Sequence, residues 1–261
     1  MKRIAMIVGG LMLAHTAVAG VYVETVNHRI TTGTTEPKQK MYVQNGSGRF
    51  VDPEGRATLI KGDTLYVIDD ADKSYIVFDK ATMEQVARKL NEQMERLKEQ
   101  LAKLPAEQRA QLEQTMGGAL GLDGKERTVE VNDTGKSDKV DGRSCRVWEV
   151  VRDGELDEQL CVVPYSALPG KENFSAVFGR FSKVFEEMAK SVPMLSGMMA
   201  NEFSAQVKIN GFPVRQRTYE NGKLGDEETL VKEWREEAIP ASMFEVPANY
   251  QRKQMPLGPG Q

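Results

Sequence analysis

Imidazole and thiol are scarce in this chain, with two histidines, His15 and His28, and two cysteines, Cys145 and Cys161, in 261 residues. His15 follows directly on the apolar run of an export leader: Met1-Lys2-Arg3, the run from Ile4 to Ala14, then Ala17-Val18-Ala19 as a small-x-small cleavage signal. Cleavage after Ala19 leaves His28 as the one imidazole for a Ser-His-acid or Cys-His nucleophile. Two serine contexts approach a nucleophile elbow and neither completes it. Asn45-Gly46-Ser47-Gly48 lacks the leading glycine, and Gly142-Arg143-Ser144-Cys145-Arg146 lacks the trailing one. Gly135-Lys136-Ser137 ends like a phosphate-binding loop, but Glu130 stands where that motif opens on glycine. His28 reads as an ordinary strand residue.

Zinc needs three or four nitrogen, sulfur or carboxylate ligands at short spacing, which His28 and two distant cysteines do not supply. Asp69, Asp70 and Asp72, and Asp133, Asp138 and Asp141, lack the spacing of a calcium loop and read as solvated turn carboxylates. A chain with 38 acids can always assemble a carboxylate pair for glycoside hydrolysis, yet no pair is marked. Trp148 and Trp234 are the only tryptophans, and both sit in strand-like runs where core packing accounts for them. The expectation is a protein that is not an enzyme, with no metal and no cofactor.

The cysteines point to structure. Arg143 to Val151 and Leu156 to Val163 are strand-like, with the hairpin signal Asp153-Gly154 between them. Cys145 and Cys161 are equidistant from Asp153, so a three-residue loop of Arg152, Asp153 and Gly154 sets them directly opposite, at a separation a disulfide spans. A Cys145–Cys161 bond is expected. Redox pairs usually have Cys-x-x-Cys spacing, so this one reads as structural, worth about 3 kcal/mol in the chain-entropy model.

The leader's apolar run is far shorter than the roughly 20 residues of a membrane span, and no later segment comes close. Position 20 is glycine where a lipid anchor needs cysteine. The expected product is soluble, and periplasmic or secreted. Loss of Lys2 and Arg3 takes 35 basic residues to 33 against 38 acidic ones, a net charge of −5, which argues against nucleic acid as a partner.

Elements then follow from period and punctuation. Val21 to Thr31, Lys38 to Gln44, Arg56 to Ile60, Thr64 to Asp69 and Ser74 to Phe78 read as strands of an antiparallel meander. The last two are apolar on both faces, so something must cover the second face. A candidate is the helix that a capping box at Thr82 and Gln85 opens. Met83, Val86, Leu90, Met94, Leu97, Leu101 and Leu104 form its stripe, and Pro105 starts a second helix running to Gly117-Gly118. Packing on the sheet competes with a coiled coil for this stripe. Strands resume at Glu126 to Val131, polar turn formers fill Asn132 to Ser144, and the disulfide hairpin follows. Lys171 to Lys190 is a second amphipathic helix with Phe174, Val177, Phe178, Phe181, Val184, Phe185 and Met188 on one stripe, then a Met-rich stretch with Met194, Met198 and Met199. Phe203 to Ile209, Val214 to Glu220 and Glu227 to Glu236 return to strand.

That stripe either packs on the sheet or lines a soft apolar cavity, and one face can do both. Phe174, Phe178, Phe181, Phe185, Met188, Met194 and Met198 are the candidate ligand-binding residues, because aromatics beside pliable methionines adapt to an acyl chain or an apolar patch. The organisation expected is a leader over 1–19, one antiparallel-sheet domain over 20–250 with helical insertions at 80–117 and 171–199, and a disordered tail over 251–261.

Leu65-Tyr66-Val67-Ile68-Asp69, Lys73-Ser74-Tyr75-Ile76-Val77-Phe78, the Gly142 to Cys145 hairpin and Ile239-Pro240-Ala241-Ser242-Met243-Phe244-Glu245-Val246-Pro247 resemble an uncharacterised family of secreted bacterial domains. That family is similar to the lipoprotein-carrier superfamily of LolA and LolB. The resemblance implies an α+β fold: a strongly curved antiparallel half-barrel with helices over its concave side and an apolar cavity for acyl chains. The partners it implies are an apolar small molecule, an acyl chain or a lipoprotein. The competing expectation is an envelope protein-interaction module that uses the helix over 82–104.

Overall fold

Two-residue turns whose residues both take positive φ build most of the sheet: Asn45-Gly46, Asp141-Gly142, Asp153-Gly154 and Asn221-Gly222. Such turns match the right-handed twist of paired strands, and Asn-Gly and Asp-Gly favour them because these residues tolerate that backbone. They join β2 (Thr35–Gln44) to β3 (Ser47–Val51), β7 (Val129–Val140) to β8 (Arg143–Arg152), β8 to β9 (Glu155–Pro164), and β10 (Gly211–Glu220) to β11 (Lys223–Glu237). The computed structural model describes residues 19–105, 108, 128–191 and 208–254.

The remaining strands are β1 (Gly20–Arg29), β4 (Arg56–Lys61), β5 (Thr64–Asp69), β6 (Ser74–Phe78) and β12 (Gln251–Arg252), and the long helices among the described residues are α1 (Lys80–Ala102) and α2 (Lys171–Ser191). The fold is α+β, with one open twelve-stranded sheet ordered β12-β6-β5-β4-β3-β2-β1-β11-β10-β9-β8-β7. All pairs are antiparallel except β12 with β6. β1 pairs with β11 from Gly20↔Glu237 to Arg29↔Glu227, and so zips an N-terminal meander to a C-terminal one.

One face carries the main core, in which Val21, Val23, Val43, Ile60, Cys161 and Val214 meet Phe174 and Val177 of α2. The other face of β4 and β5 is covered by the chain after β11. Ile239 and Phe244 are buried there with Ala57, Leu59 and Ile68, and Tyr66, Tyr75 and Tyr250 pack beside them. The nearly buried Arg49 fixes this cover, its guanidinium reaching the carbonyls of Met243 and Glu245, each at 3.5 Å. The two-sided apolar strands did need a second cover, but it is this segment and not α1. The first turns of α1 pack instead against α2 and β6, burying Met83 and Ala87.

Other expectations change in detail. The Cys145–Cys161 bond is present with Cα atoms 5.3 Å apart, but the cysteines are a diagonal pair: Cys161 lies opposite Val147. The loop is Asp153-Gly154 alone, and an irregularity between Val150 and Val151 shifts the register. The polar run expected as a loop over 132–144 is strand as far as Val140, with an irregularity between Asp133 and Ser137. An edge strand paired on one side can keep solvated side chains and a bulge. β3 was missed because Ser47-Gly48 reads as punctuation. α1 starts at Lys80, capped by Asp79, whose side chain accepts from the Thr82 amide at 2.8 Å, so the capping residue lies three places before the one expected. Gln251 and Arg252, assigned to a disordered tail, form β12, because the amides of Gln251 and Lys253 donate to the free edge of β6. The expected second helix of the hairpin falls almost wholly outside the described residues. Of the strand expected over 203–209 only 208 and 209 are described, and they are helical.

Candidate ligand cavity beneath helix α2

α2 is held at its start by a buried asparagine. The Asn173 side chain accepts from the Asn45 amide at 2.9 Å and donates to the Ala19 carbonyl at 3.1 Å, tying the first turn to the β2–β3 hairpin and to the start of β1. Three turns on, Lys183 reaches Asp63 in the β4–β5 turn at 2.7 Å and, by that hydrogen bond, holds the carboxyl below its usual range. Between these ties α2 lies close on β3. A Cβ on Gly48 would come within 2.8 Å of Val177, so glycine is needed at that crossing.

The aromatic stripe divides in two. Phe174 is fully buried, stacked on Trp234 with ring centroids 4.8 Å apart and edge-on to Phe212 at 5.7 Å. It is an anchor. Phe178 and Phe181, one and two turns further, look into a cavity of about 430 Å³ between α2 and the sheet. Its sheet wall comes from Gln39, Phe50, Thr58, Ile60, Leu65, Val67 and Phe78, and Val177 joins the two phenylalanines on the helix side. The volume lies in the ~300–1,000 Å³ range of small-molecule pockets.

Strand register gives the cavity a direction. Gly48, Ile60, Leu65 and Phe78 form one cross-strand row, and Phe50, Thr58, Val67 and Ile76 the next. In the first row Ile60 is 0% and Leu65 7% exposed, whereas in the second Val67 is 37% exposed. The first row is therefore the floor and the second the mouth. The two polar side chains of the lining, Thr58 and Gln39, stand at the mouth, with Gln39 beyond the end of β3 on the same face.

Of the expected ligand residues, the structure brings Phe178 and Phe181 to the cavity and places Phe174 in the core. The side chains of Phe185 and Met188, and the whole of Met194 and Met198, lie outside the described residues. The sheet half of the lining was not anticipated as a site. Its signal was present in the two-sided apolar character of β5 and β6, but Phe50 was hidden with its strand.

His28 is engaged among the described residues. His28 Nδ1 lies 3.0 Å from the buried Glu228 carboxylate, which also accepts from Arg217 at 2.7 Å, while neighbouring Arg215 donates to Asp138 at 2.7 Å. Burial pushes Glu228 upward, but the hydrogen bonds from Arg217 and His28 outweigh it and hold the carboxyl below its ordinary value. The geometry is that of a satisfied ionic network, with the carboxylate beside the imidazole already paired to arginine. Among the described residues no group of three His, Cys, Asp or Glu side chains is placed to hold a metal ion. No helix among them is long and apolar enough to cross a membrane.

A family model described as a domain of unknown function, DUF4412, matches residues 107–250. Among curated proteins none matches. A crystal structure of an uncharacterized conserved protein from Thermus thermophilus is similar at 8% identity and a TM-score of 0.40, over 90% of this chain and 89% of that one.

Proposed function

From the premise that the chain belongs to the DUF4412 family, domains of unknown function, we propose that it is a non-enzymatic exported domain that binds an apolar ligand beneath α2. The occupant is an apolar small molecule or the acyl chain of a lipid or lipoprotein, and the protein works in the periplasm or outside the cell once a leader over 1–19 is removed. The observation that carries this reading is the cavity itself: about 430 Å³, floored by Ile60, Leu65 and Phe78 and roofed by Phe178 and Phe181. At roughly 30 Å³ per water-sized group it holds about fourteen. A chain of about twelve methylenes gains ~10 kcal/mol on burial. Association costs at least ~4 kcal/mol of that, which leaves a Kd no tighter than the tens of micromolar.

The Cys145–Cys161 bond supports export, since disulfides persist in oxidising compartments. On this reading the open sheet and its helical cover work as a half-barrel carrier of the LolA and LolB kind, with α2 as the lid. Native mass spectrometry of protein purified from its own periplasm tests the proposal. A bound apolar mass released on denaturation is expected. An empty protein that also ignores fatty-acyl probes would sink it.

A further inference from the structure

Resting on that cavity reading, we infer that the ligand is a single-chain amphiphile with an uncharged polar head, such as an alcohol, ester or amide, bound tail inward with its head at Thr58 and Gln39. The floor row is shut and apolar and the mouth row is open, so a tail has one direction in which to lie. At the mouth the Thr58 hydroxyl and the Gln39 carboxamide are the polar groups of the lining, and neither carries a charge. Between them they offer donors and acceptors, which suits an ester, amide or hydroxyl.

The charges around the mouth are engaged with one another. The turns at that end, over 52–55 and 69–73, bear five carboxylates, and cations already meet them: Asp70 lies 3.8 Å from Arg49, Asp72 2.8 Å from Lys253, and Lys73 and Arg56 stand in or beside the same turns. Arg56 is itself held by Asp52 at 2.8 Å and Glu54 at 3.4 Å. The lysines flanking Gln39 are engaged elsewhere: Lys38 donates to Thr229 at 2.6 Å, and Lys40 sits opposite Glu24 on the other face. On α2, Lys183 lies with Asp63 and Arg180 beside Gly46, in turns at the floor end. A charged head of either sign would thus be desolvated at a lining with no charged side chain, beside ionic groups that, among the described residues, are already paired with one another.

The test is displacement of the neutral dye N-phenyl-1-naphthylamine from the purified protein at pH 8 by decanol, decanoate and decyltrimethylammonium, all below micelle-forming concentration. Decanol is expected to displace at a concentration at least ~10-fold lower than either charged analogue. Thr58→Val should narrow that gap several-fold, and Thr58→Ser should keep it. Decanoate or the ammonium equalling decanol overturns the head-group inference and leaves the cavity reading standing. A dye that does not bind, or that no analogue displaces, overturns the cavity reading and this inference with it.

Discussion

Phe174 and Phe181 sit on one helix stripe two turns apart and do different work. Phe174 fills the angle between Trp234 and Phe212, so Phe174→Ala should cost about 3–5 kcal/mol in chemical denaturation. Phe181→Ala should cost clearly less, because one of its faces already borders a void, and should instead change dye binding. The stripe itself is legible from spacings of three and four. Which phenylalanine anchors and which lines is not, because that depends on Trp234, sixty residues later in the chain and brought under the helix by β11. Glu228 carries the acid-side prediction. Its folded-state value is lowered, so its stabilisation is fully present above the unfolded glutamate's ordinary value near 4.5 and is lost as pH falls through the folded one. Glu228→Gln should therefore flatten the fall of stability below about pH 4.5, which denaturation at stepped pH would show. An unchanged acid-side slope would assign that fall to other carboxylates.

The hairpins were readable because Asn-Gly and Asp-Gly encode their turns locally. Registers were not, since a loop one residue shorter than expected and an irregularity between Val150 and Val151 together set Cys145 diagonal to Cys161. The bond forms either way. Reduction, or the double change Cys145→Ala with Cys161→Ala, should remove about 3 kcal/mol. That lowers Tm by roughly 6–12 °C in a domain of this size, and calorimetry with and without reductant reads it directly. β3 escaped notice because Gly48 resembles a turn residue, yet it is glycine so that Val177 can approach. Gly48→Ala should push α2 away from the sheet and loosen dye binding more than it lowers stability. The cover over Tyr66 and Ile68 is likewise a matter of tertiary placement. The pattern of Pro240, Phe244 and Pro247 was visible, but nothing local says that it folds back across β4 and β5 under Arg49.

The α+β class and an antiparallel meander followed from period and turn residues, but the strand order did not, because β1 pairs with β11 some two hundred residues away. That pairing brings α2, which enters the chain after β9, over β2 to β5 of the other meander and so makes the cavity between them. The cavity is a property of the joined sheet, and neither half has it alone. Fluorescence titration of N-phenyl-1-naphthylamine into the wild-type protein and Phe181→Asp tests this account most directly. Saturable binding by the wild type, with at least ~10-fold loss in a Phe181→Asp protein whose unfolding midpoint is little changed, is the predicted result. Equal binding by both proteins, or by neither, would contradict it.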